Sequence, residues 1–125
     1  MARVLIAEPT PEIRLLLERA VERLGHVHVA HTRDGADAPP DADVLLLEPA
    51  LTGGFELARA LRERRPDAQI VVCSIYPPSK EVIALGLAAH LEKPFTREAL
   101  EGALTVAAQR AGVPSRPHLR LCEAG

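Results

Sequence analysis

The sequence predicts an α/β domain, a parallel sheet with helices packed on both faces. Short, continuously apolar runs, VLIA, VLLL and IVVC, suit strands covered on both sides. They alternate with longer segments whose apolar residues recur at helical spacing. The connections are brief, as repeated strand–helix units require.

Taken in order, RVLIA (3–7) reads as the first strand. Thr10-Pro11 supplies a helix cap followed by proline at the first helical position. Ile13, Leu16, Leu17, Ala20, Val21 and Leu24 then form one helical stripe, and Gly25 stops it. Residues 26–31 alternate polar and apolar side chains from His26 to His31, the pattern of an edge strand. TRDGADAPPDAD (32–43) is rich in turn formers and has room for one helical turn at most. DVLLLE is the third strand, and Gly53-Gly54 reads as a flexible turn after it. FELARALRERR is a helix with Leu57, Ala58 and Leu61 inward, closed by Pro66. QIVVCS (69–74) is a buried strand, PPSKEVIALG a short helix at best, and AAHLEK the fifth strand. TREALEGALTVAAQR is the last helix, with Ala99, Leu100, Ala103, Leu104 and Ala107 facing inward. Residues 1–110 therefore form one domain. Residues 111–125, without periodicity and with two prolines, read as a tail or linker.

Composition narrows the function. A chain of 125 residues, 47% hydrophobic, suits a single compact core. A formal charge of -2 argues against a nucleic-acid binder working through bulk charge. No apolar run reaches membrane-span length, and the first residues lack a signal peptide's apolar stretch, so a cytoplasmic location is expected. Cys73 and Cys122 have no metal-type spacing, and Cys73 reads as a reduced core thiol. His26, His28 and His31 have no cysteine or acid nearby to complete a zinc set.

Every strand expected in the middle of the sheet ends in a polar or charged residue: Glu8, Glu48, Ser74 and Lys93. Ligand chemistry in doubly wound sheets gathers at the carboxyl ends of the strands. An ion pair between Glu48 and Lys93 is the expected core of that site, because a lysine there is costly to bury unpaired.

On these residues the chain resembles the CheY-like receiver domains of bacterial response regulators over residues 3 to about 110. RVLIAEPTPEIRLLL is similar to that family's opening strand and helix, where acids bind magnesium. DVLLLEPALTGGFEL resembles its phosphoacceptor strand and the helix that follows, VVCS the strand ending in a switch hydroxyl, and GLAAHLEKPF the Gly-to-Lys-Pro-Phe segment. The resemblance implies a flavodoxin-like sheet of order 2-1-3-4-5. It also implies departures. Glu48 stands where the family phosphorylates an aspartate. Glu8-Pro9 stands where it has two acids, and His90 where it has an aromatic residue that turns with the switch at Ser74. The helices before the third and fifth strands look shortened.

These changes imply a degenerate phosphoacceptor site made of Glu8, Pro9, Glu48, Ser74 and Lys93. Acyl-phosphate formation needs an in-line carboxylate and a magnesium ion that prefers carboxylate oxygen. A nucleophile one methylene too long and a lost ligand disfavour both. The expectation is a non-enzymatic, phosphorylation-independent signalling module with no cofactor, leaving only a weak residual magnesium role at Glu8. The permanent charge on Glu48 is expected to stand in for a phosphoryl group and to draw Ser74 toward it. The partner is expected to be a protein or output domain, or a second copy in a homodimer. Its docking face would be Pro78 to Leu87, His90 to Glu92 and the outer side of the last helix, with Ile83, Leu87 and His90 at its centre. Two alternatives remain: a phosphoryl-accepting response regulator with an atypical site, and a small-molecule binder using an apolar pocket at the strand ends.

Overall fold

The computed structural model describes residues 1–32 and 41–113. Five parallel strands, β1 (Arg3–Ala7), β2 (Val27–Thr32), β3 (Val44–Leu47), β4 (Gln69–Ser74) and β5 (Ala89–Glu92), pair in the order β2-β1-β3-β4-β5. The described helices are α1 (Pro11–Arg23), α2 (Gly54–Arg64), α3 (Lys80–Ala84) and α4 (Arg97–Arg110). This is the flavodoxin-like topology expected from the sequence. The segment 33–40, where one shortened helix was expected, lies outside the described residues, as do Cys122 and the tail from residue 114. The other shortened helix is α3, with five residues.

Strand alternation sorts the core into two layers. Val4, Ile6, Val44, Leu46, Val71 and Cys73 pack under α1 and α4 with Leu17, Val21, Leu100 and Leu104. Leu5, Leu45, Leu47, Ile70 and Val72 point the other way, under α2 and α3 with Leu57, Leu61 and Val82. Successive side chains on a strand face opposite sides, so β3 is buried at every position only because helices cover both faces.

Several local expectations are corrected. Ala99 is exposed and Ala108 takes an inward position instead. Leu16 of the α1 stripe is 49% exposed, while Leu17, Ala20 and Val21 carry the packing. Thr10 occupies the position before α1 but its hydroxyl caps nothing. Gly53-Gly54 is not a loose turn. Gly53 has φ 76 at the start of α2, and a Cβ on Gly54 would sit 3.1 Å from Leu47 Cδ1. Arg62 ties the layer under α3 together, donating to the Ala68, Leu85 and Gly86 carbonyls at 3.0, 2.6 and 3.2 Å.

Candidate functional site

The order β2-β1-β3 makes the ends of β1 and β3 neighbours at the point where the chain reverses its direction across the sheet. Glu8 follows β1 and Glu48 follows β3, so the two carboxylates meet there. Lys93 follows β5, two strands from β3. With strands spaced about 4.8 Å apart, it must reach across the end of β4. Its backbone N–H donates to the Ser74 carbonyl at 2.8 Å, and its four-carbon arm spans the rest. The Lys93–Pro94 peptide is cis.

At the end of that reach, Lys93 Nζ lies 2.8 Å from Glu8 Oε1 and 2.8 Å from Glu48 Oε1. The Glu8, Glu48 and Lys93 side chains are only 1%, 10% and 10% exposed. The second oxygen of each acid is also engaged: Glu8 Oε2 accepts the Thr10 N–H at 3.1 Å, and Glu48 Oε2 accepts the Ala50 N–H at 2.9 Å. The expected Glu48–Lys93 pair is present, and Glu8 shares it. Burial, the largest single influence, pulls the Lys93 ammonium down. Hydrogen bonds to Glu48 and Glu8, with their charges, outweigh it and raise its pKa. Directly beneath, burial pushes the Cys73 thiol up to about 12, so it stays protonated.

No protein-family model matches the chain. Over 127 residues it is 31% identical to the transcriptional regulatory protein TcrA of Mycobacterium tuberculosis, covering 94% of this chain and 50% of that protein. The chain thus spans about half the length of the curated relatives it matches. Among solved structures it is similar to the signal receiver domain of a modulated diguanylate cyclase from Desulfovibrio desulfuricans G20. That pair has a TM-score of 0.77 at 20% identity, covering 90% of this chain and 97% of the other. It is also similar to a CheY-like receiver domain from Methylobacillus flagellatus, with TM-score 0.70, 24% identity and coverage of 86% and 98%. The chain has the fold of the CheY-like receiver domains.

The remaining expected residues fall around the acid–lysine group. Pro9 lies exposed between Glu8 and Thr10 and offers no donor. Ser74 is buried at the end of β4, and its Oγ accepts the Tyr76 N–H at 3.1 Å. Among the described residues Glu48 makes no hydrogen bond to Ser74. The expectation that Glu48 draws the hydroxyl is not met, because a full positive charge at 2.8 Å outcompetes a neutral donor. His90 is partly buried on β5, with Nε2 shielded from solvent and without a hydrogen-bond partner. Ile83 is 60% exposed, whereas Leu87 is half-buried against the core under α3. Of the three residues expected at the centre of the docking face, Ile83 is the most exposed.

As a magnesium site this donor set does not fit. The lysine ammonium occupies the place between the two carboxylates that a cation would take. Both remaining carboxylate oxygens are committed to backbone N–H groups.

Sequence reasoning missed a second charged group, at the opposite ends of the strands. Asp43 Oδ2 accepts the Arg3 N–H at 2.7 Å, and Arg65 lies 2.6 Å from Asp43 Oδ1. The hydrogen bond to Asp43 holds the Arg65 guanidinium above its ordinary pKa. Next to it, His26 Nδ1 accepts the Ala2 N–H at 2.9 Å, and burial lowers its pKa from 6.5. The only sequence signal was an acid immediately before the apolar run of β3.

Proposed function

We propose that this receiver domain is a signalling module that acts by protein–protein contact without phosphoryl transfer, with Glu48 in place of the phosphoacceptor aspartate. One observation carries the reading: Lys93 Nζ bridges Glu8 and Glu48 at 2.8 Å while backbone N–H groups hold their other oxygens. An acyl phosphate forms when a free carboxylate oxygen attacks phosphorus in line, with a cation neutralising the developing charge. Here the oxygen is already neutralised and hydrogen-bonded, so attack must first break a buried ion pair. Under this reading the domain needs no metal or other cofactor.

The half-length match to a transcriptional regulatory protein supports an output domain, on the same or another chain, as the partner. A second copy of the receiver is the alternative partner. The exposed Ile83 on α3, with His90 on the neighbouring β5, supports the docking face.

The test is intact-mass spectrometry after incubation with acetyl phosphate and magnesium. No mass gain of a phosphoryl group is expected, and beryllofluoride with magnesium should leave the amide spectrum around Glu8, Glu48 and Ser74 unchanged. A phosphoryl adduct located on Glu48 would overturn the reading and establish an atypical phosphoacceptor.

A further inference from the structure

A cavity of about 320 Å³ lies beside the acid–lysine group, between the ends of β3 and β4 and helix α3. This falls at the small end of the volumes that hold ligands, roughly 300 Å³ and above. Its walls include Phe55, Tyr76, Glu48, Glu81, Ser74 and His90. The chain has one Tyr, two Phe and no Trp, so two of its three aromatic rings line this one space. Its wall carries two carboxylates and neither Lys nor Arg, and the Arg59 guanidinium lies over the Phe55 ring, 5.9 Å from its centroid. Glu48 spends much of its charge on Lys93, while Glu81 forms no ion pair among the described residues. His90, partly buried, completes the wall.

We propose that this cavity binds a small organic cation with a flat apolar body, of the aryl-amidinium or arylamine class. Its N–H groups meet Glu81, and its body lies against Phe55 and Tyr76. Cations are favoured over aromatic faces, and the two acids repel anions of the same size. Such a site can also speak to the docking face, since Val82 lines the cavity and the adjacent Ile83 projects into solvent. The inference goes beyond the phosphorylation-independent reading, because its test uses no phosphodonor and its outcome does not depend on whether Glu48 can be phosphorylated.

The probes are benzamidine, a cation, and benzoate, an anion of nearly equal size, each titrated into isotope-labelled protein at neutral pH. Benzamidine should give saturable amide shifts at Ala50, Ser74, Tyr76 and Glu81, with a Kd on the order of 1 mM for so small a molecule. Benzoate should give none. Glu81→Gln, in the exposed first turn of helix α3, should weaken benzamidine roughly threefold. His90→Phe, which exchanges a polar ring in the cavity wall for a larger apolar one, should alter benzamidine binding while the remainder of the spectrum stays dispersed. Three results overturn the proposal: no saturable shift with benzamidine up to ~10 mM, benzoate binding as well as benzamidine, or benzamidine binding unaltered in both variants.

Discussion

Both ends of the central strands carry side chains that accept backbone N–H groups, but the two ends treat charge differently. At the carboxyl ends, Glu8, Glu48 and Lys93 are enclosed together, each at most 10% exposed. At the amino ends, Asp43 is equally enclosed, yet its partner Arg65 remains 28% exposed, and the flanking Asp41 is 50% exposed. A charge that keeps contact with water can be rehydrated when its partner is lost. One sealed between strand ends cannot. The closed end therefore has the larger stake in remaining paired, and the open end behaves as a strand cap with a solvated counter-ion.

The largest expected effect lies at the closed end. Lys93→Ala leaves two buried carboxylates facing each other, and breaking a buried ionic group of this kind costs about 3–5 kcal/mol. Equilibrium denaturation in urea measures it. A Lys93→Ala, Glu8→Gln, Glu48→Gln triple variant should recover much of the loss, and strict additivity of the substitutions would show that the three residues do not act as a group. The same group has an alkaline signature. The Lys93 pKa is raised on folding, so its contribution is fully present below its ordinary value of 10.5 and is lost as pH rises through the higher folded value.

A smaller effect is expected at the open end. Asp43→Ala frees the Arg3 N–H and removes one partner of Arg65, a loss of about 2 kcal/mol for a hydrogen bond to a charged acceptor. A denaturant midpoint shift as large as that of Lys93→Ala would break the comparison.

The smallest effect is titratable. His26 accepts the Ala2 N–H through Nδ1, which only the neutral ring can do. Its pKa is lowered on folding, so its contribution is fully present above 6.5 and is lost as pH falls through the lower folded value. Thermal melts between pH 7 and 5 should show this decline, and His26→Gln, which keeps an acceptor, should flatten it.

Much of the architecture was legible because it follows from period and punctuation. The runs at 3–7, 44–47 and 69–74 are apolar at nearly every position, and such runs settle only where both faces are covered. The identity of the strand-end residues was legible too, since Glu8, Glu48 and Ser74 each directly follow or close an apolar run and Lys93 opens the Lys93-Pro94-Phe95 stretch after the fifth strand. Helix faces were read less well. Ala99 fits the inward stripe by spacing, but it lies in the first turn of α4, ahead of Leu100, where the helix begins to meet the core. Alanine carries too little apolar area for its position to be strongly specified.

The strands, their parallel sense and the set of polar residues at their ends follow from local signals, because hydrophobic periodicity and turn chemistry are local. Which of these residues meet depends on the folded arrangement of the strands. That Lys93 spans β4 to bind Glu8 as well as Glu48, and that Asp43 anchors the start of β1 through the Arg3 N–H, depends on strand order and register. Those contacts join residues 40 to 85 positions apart, where no local pattern records which of several acids a buried cation will choose. The choice falls to the burial of each group and the geometry at the switch point of the sheet.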